Sequence, residues 1–134
     1  MNCKHKIATI AAALMLTCIV PALHADDAPK VQRQILLKDD LSIAGHEGLM
    51  VRVEIPPGVA EGYHTHPADV FAFILEGEVV QEVAGKPTVT LKAGDVFHVP
   101  AGAVHQATNK GSVPARIAVV FVAEKGKPLT TPVK

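Results

Sequence analysis

The sequence has no tryptophan, one tyrosine and four phenylalanines. A core without large rings must be filled by Val, Ile, Leu and Ala, and the β-branched members of that set favour strands. Beyond the N-terminal segment, no stretch carries the long 3.6-residue apolar repeat of an amphipathic helix. Cysteine is scarce, with only Cys3 and Cys18. Charge of one sign is not in excess either: 13 Lys and Arg stand against 13 Asp and Glu, with no basic run. Binding to nucleic acid therefore has no electrostatic footprint here. What remains is 49% hydrophobic and 19% charged, a balance that argues against disorder. The 134 residues suffice for one domain with a core.

The first residues read as a targeting segment. Lys4 and Lys6 give a positive start, Ile7 to Val20 is apolar, Pro21 breaks the run, and Leu23-His24-Ala25 offers a small residue at a cleavage point. The apolar run is too short to span a bilayer comfortably. The expectation is a signal peptide over 1–25, with a mature domain over 26–134 that is periplasmic or secreted and has no membrane contact once cleaved. A lipoprotein signal using Cys18 is the rival, and Met15-Leu16-Thr17 fits it poorly because a small residue should precede the cysteine. Cleavage after Ala25 removes both cysteines and leaves 11 basic against 13 acidic side chains. The mature chain would have neither thiol nor disulfide.

After a polar lead-in over Asp26 to Gln34, short apolar stretches alternate with Gly and Pro turns. Strands are expected at Gln34–Leu37, Leu49–Ile55, Phe71–Leu75, Val79–Val83, Thr88–Leu91, Val96–Val99, Val104–Thr108 and Ala115–Val122. The tail from Glu124, with Pro128 and Pro132, is expected to be extended. Many short strands at close spacing indicate an all-β sandwich or barrel. Phe71, Phe73, Phe97 and Phe121 are expected in the core or in a pocket wall.

The chemistry-bearing stretch is His64-Thr65-His66. Residues i and i+2 of a strand share a face, so two imidazoles there can grip one metal ion. His105 follows in a second glycine- and proline-marked segment. The first segment reads G-x5-H-x-H followed by G, with Gly58, His64, His66 and Gly77. The second reads G-x5-P-x-G-x2-H-x3-N, with Gly94, Pro100, Gly102, His105 and Asn109. Together they resemble the two motifs of the cupin superfamily, and the closing Glu124 to Leu129 stretch is similar to that of small single-domain exported cupins. The resemblance covers about 49–122. It implies a double-stranded β-helix, or jelly-roll barrel, with one divalent transition metal (Fe, Zn, Ni, Cu or Mn) held by His64, His66 and His105.

One departure matters. The resemblance places a glutamate ligand at position 70 or 71, where this chain has Val70 and Phe71. Asp69 is one residue early, which turns it to the opposite strand face. It is read as a rim residue, or as a substitute ligand if the turn is rearranged. His98 either lines the cavity as a supporting or acid–base group, or is a half-exposed strand residue. His46, Glu61, Tyr63 and Glu76 are read as surface, turn or packing residues.

Three neutral imidazoles would leave a dication's charge uncompensated and keep positions open. Certain oxygen-using cupins employ three histidines, so the resemblance implies an exported metal-binding protein acting on a small organic molecule. Its chemistry would be dioxygenase-like if it is an enzyme. The alternative is a non-enzymatic module for a small ligand or a metal. Pairing into a homodimer through a sheet is a further family expectation.

Overall fold

Alternation of apolar and polar side chains dictates two facing antiparallel sheets in the computed structural model, which describes residues 28–134. The expected signal peptide, 1–25, lies outside the described residues. Ten strands follow in chain order: β1 (Gln32–Asp40), β2 (His46–Ile55), β3 (His64–Thr65), β4 (Ala68–Glu76), β5 (Glu78–Val83), β6 (Val89–Lys92), β7 (Val96–Val99), β8 (His105–Thr108), β9 (Ala115–Glu124) and β10 (Thr131–Pro132). The described residues contain no helix. Accordingly, none of them forms a helix long and apolar enough to cross a membrane.

One sheet has the order β1-β2-β9-β4-β7 and the other β10-β3-β8-β5-β6. Successive strands repeatedly change sheet, as in a jelly roll. This is the all-β double-stranded β-helix that the resemblance of the two motifs implies.

The core lies between the sheets. In β9, Ala115, Ile117, Val119, Phe121 and Ala123 are buried, and the residues between them are not. In β2, Leu49, Val51, Val53 and Ile55 face inward. In β4 the inward set is Ala68, Val70, Ala72 and Ile74.

This parity corrects one expectation. Phe71 and Phe73 are not core residues but stand 49% and 44% exposed on the outer face. The run Phe71–Leu75 is apolar on both faces, and small or β-branched neighbours take the inner one.

Gly77 joins β4 to β5 with φ of 72°. A Cβ there would stand 2.7 Å from the Pro114 carbonyl oxygen, so both the conformation and the close approach require glycine. Asn109 is fully buried and ties three segments together. Its Nδ2 donates to the carbonyls of Ile55 and Val113, both at 2.8 Å, and its Oδ1 accepts from the Gly111 N–H at 2.9 Å.

Three strand expectations shift. β1 runs from Gln32 to Asp40, longer than its apolar residues alone suggest, because pairing with β2 extends it through polar positions. β3 and β10 carry no apolar alternation: β3 takes only His64 and Thr65 of the stretch expected to be extended through His66, and β10 forms within the tail expected to be extended. They pair with each other, Thr131 opposite Thr65 and Pro132 opposite His64.

Candidate metal centre

Three histidines converge from two neighbouring elements. His64 lies on β3 and pairs directly with His105 on β8. His66 follows in the turn before β4, its carbonyl accepting from the Gly102 N–H at 2.8 Å. All three are buried, and one ring nitrogen from each lies within 4.8 Å of the others. The ring centroids are 4.3, 4.7 and 5.0 Å apart.

The hydrogen bonds fix which nitrogens face one another. A carbonyl oxygen can only accept, so each histidine nitrogen bonded to one must carry the proton. His64 Nδ1–H donates to Gly62 at 2.7 Å, His66 Nδ1–H to Leu129 at 2.6 Å, and His105 Nδ1–H to Ala103 at 2.9 Å. In the neutral ring each Nε2 is then a bare lone pair. His64 Nε2 and His66 Nε2 stand 3.1 Å apart with no proton between two such neutral rings.

A proton on His66 does not relieve the crowding near neutral pH. Burial is the main force pushing His66 down to about 4, opposed by the Leu129 carbonyl and reinforced by the two neighbouring imidazoles. Burial likewise lowers His105. Two imidazoles on one ion at about 2.0–2.1 Å would be roughly 3 Å apart. The donor set therefore fits a divalent transition metal. Carbonyl-anchored Nδ1–H groups orient such ligands in known sites.

The histidines open on a cavity of about 240 Å³ walled by Ile35, Val51, Val53, Val70, Val119 and Phe121. Val70 faces this cavity, so an apolar wall occupies the place of the expected carboxylate. Phe121 packs edge-on against His66 at 5.0 Å between centroids.

Asp69 and His98 are not brought to the cluster. They project from the opposite face of the first sheet, where His98 Nε2–H donates to Asp69 Oδ1 at 2.7 Å and the imidazole stacks on Phe71. Strand parity accounts for both positions: Asp69 neighbours Val70 on β4, and His98 pairs with Phe71 across β7.

Sequence reasoning missed five contributors. The tail supplies the Leu129 carbonyl that holds His66, with Thr130 Oγ1 also 3.3 Å from the same nitrogen. Glu61 lines the cavity, where only a turn role was expected, and Arg33 reaches it from β1. Gln81, buried on β5, faces the same space. For Glu61 the available signal was its place three residues before His64; for Gln81 it was a polar residue at an inward position of an apolar strand.

A family model for the cupin domain matches residues 51–121, more than half the chain. The chain is a cupin. A tetracenomycin polyketide synthase protein, TcmJ, from Streptomyces glaucescens is 32% identical over 77 residues, covering 57% of this cupin and 51% of that protein. A germin-like protein, subfamily 2 member 1, from Arabidopsis thaliana is 39% identical over 77 residues, 52% of this chain and 34% of the relative. The cupin thus spans about half or less of these relatives' length. Among solved structures, a recombinant oxalate oxidase in complex with glycolate is similar with a TM-score of 0.58 and 26% identity, over 63% of this chain and 45% of that one. The lyase DddQ from Ruegeria pomeroyi shares the fold with a TM-score of 0.68 at 23% identity, over 84% of this chain and 56% of that one.

Proposed function

We propose that this cupin is an exported, periplasmic or secreted protein that acts on a small organic molecule at a three-histidine metal centre, with oxygenase-like chemistry. The observation that carries the proposal is the set of three Nε2 lone pairs aimed together into an apolar cavity, with Val70 where a carboxylate ligand would stand. A bound divalent metal would supply Lewis-acid and redox chemistry with open positions. The chain's own part is to present neutral imidazoles, fix their tautomers through three carbonyls and keep bulk water from an apolar chamber. The oxalate oxidase likeness supports a small-molecule substrate.

The test is oxygen consumption by metal-loaded protein over a panel of small organic acids, alcohols and thiols. Activity with at least one, lost in His64→Ala and His105→Ala together with metal content, is the expected result. Turnover that survives complete metal removal would sink the proposal.

A second reading, capture of a ligand without turnover, draws support from one feature. The carboxylate lining the cavity, Glu61, is already engaged by Arg33 at 2.7 Å rather than poised as a base. Ligand-induced thermal stabilisation without oxygen uptake would favour it. A homodimer is part of the same proposal. The outer face carrying Met50, Phe71, Phe73 and Val96 is exposed and apolar, the type of surface that a second copy covers.

A further inference from the structure

The cavity containing the histidines has an outer neighbour, a rim cleft lined by Gly62, Tyr63, Pro132 and Val133. Four residues line both spaces: Arg33, Glu61, His64 and Thr130. They therefore stand where the chamber meets the outside. Within this set Arg33 and Glu61 form an ion pair, Nη2 to Oε1 at 2.7 Å.

The fold puts these two side chains opposite each other by design of register. Arg33 on β1 pairs with Val53, and Ile35 with Val51, so the inward parity of β2 carries Arg33 to the inner face at a sheet edge. Glu61 belongs to the other side of the barrel, its N–H bonded to the Ala107 carbonyl at 2.9 Å beside β8. The pair closes the gap between the two sheets at the mouth.

We propose that this pair is an anion-selective gate: Arg33 is the receptor for the acid group of a small carboxylate, and Glu61 occupies that receptor until such a ligand arrives. Arg33 is the one Lys or Arg among the residues lining the chamber. Glu61 engages it through a single nitrogen, Nη2. A two-pronged carboxylate contact is stronger than a one-pronged one, so an incoming acid has a geometry that competes. The Arg33 side chain is 44% exposed and reachable from outside, whereas the Glu61 side chain is 12% exposed and lines the chamber. Behind the gate the wall is apolar, which fits a short hydrocarbon tail.

The proposal deepens the reading of the histidine site as a small-molecule centre by naming its ligand class. A dication there, held by neutral ligands, would add to the same preference for negative charge. The gate itself needs no metal.

The test uses purified, metal-free protein titrated calorimetrically with hexanoate and with hexanamide, a pair matched in size but not in charge. Hexanoate should bind at least about tenfold more tightly, the scale of a charge-assisted bond. Arg33→Gln should abolish that preference, Arg33→Lys should restore part of it, and Glu61→Gln should strengthen hexanoate binding several-fold by removing the competing carboxylate. Equal binding of acid and amide, or a preference that persists in Arg33→Gln, would overturn the gate. Zinc uptake by the same samples separates the two claims. Zinc binding without acid preference sinks the gate alone, and acid preference without zinc binding sinks the metal reading alone.

Discussion

At position 70 a valine faces the cavity beside three imidazoles, so Val70→Glu should move the centre toward a four-ligand set. In metal-free protein the new buried acid lowers stability by about 2–4 kcal/mol, the range for an imperfectly partnered polar group. With zinc present the same variant should bind metal more tightly than the wild type. Chelator competition and thermal melts read the two opposite signs.

His66 gives a pH prediction. Its folded value of about 4 lies below its ordinary 6.5, so between those limits the unfolded chain binds more protons. Its stabilising contribution is present above pH 6.5 and is lost as the pH falls toward 4. The metal-free protein should therefore lose thermal stability across that window, and His66→Gln should flatten the loss. Asn109 differs in kind. Its three side-chain hydrogen bonds brace the chain between β2, β8 and β9, so Asn109→Ala should cost about 2–4 kcal/mol in denaturant unfolding.

At the scale of elements, the pairing of β10 with β3 turns the C-terminal tail into part of the metal centre. Removing residues 128–134 deletes the Leu129 acceptor of His66 Nδ1–H. Zinc affinity should fall 10- to 100-fold, the usual consequence of losing a group that orients a ligand. Far-UV circular dichroism should retain the signal of the two sheets.

These tail contacts also mark where the sequence stops being informative. β2, β4 and β9 were readable because one face of each is buried, which writes an apolar period of two into the chain. The histidine triad was readable because His64 and His66 stand two residues apart in one glycine-marked motif and His105 sits in a second. The role of Leu129 was hidden because a backbone carbonyl contributes through its position, whatever the side chain. Arg33 and Glu61 were hidden because their meeting depends on the pairing of β1 with β2 and of segment 60–61 with β8, and neither partner signals the other in sequence. Phe71 and Phe73 misled because an apolar side chain does not record which sheet face it will take.

For the whole molecule, the two sheets isolate an apolar chamber while leaving one broad apolar face outward. If that face joins two copies, Phe73→Glu should convert a dimer to a monomer in sedimentation, with zinc uptake per chain unchanged because the centre lies on the other side of the sheet.

The central claim is that the converging imidazoles form a metal site. Its most direct measurement is a zinc titration of metal-free protein followed by calorimetry and a thermal melt. One equivalent per chain should bind and raise the melting temperature, with the equivalent of about 2.7 kcal/mol at a hundredfold excess over the dissociation constant. Both effects should vanish in the His64→Ala, His105→Ala double variant. Protein that takes up neither zinc nor iron, nickel or copper, and melts unchanged in their presence, would contradict the account.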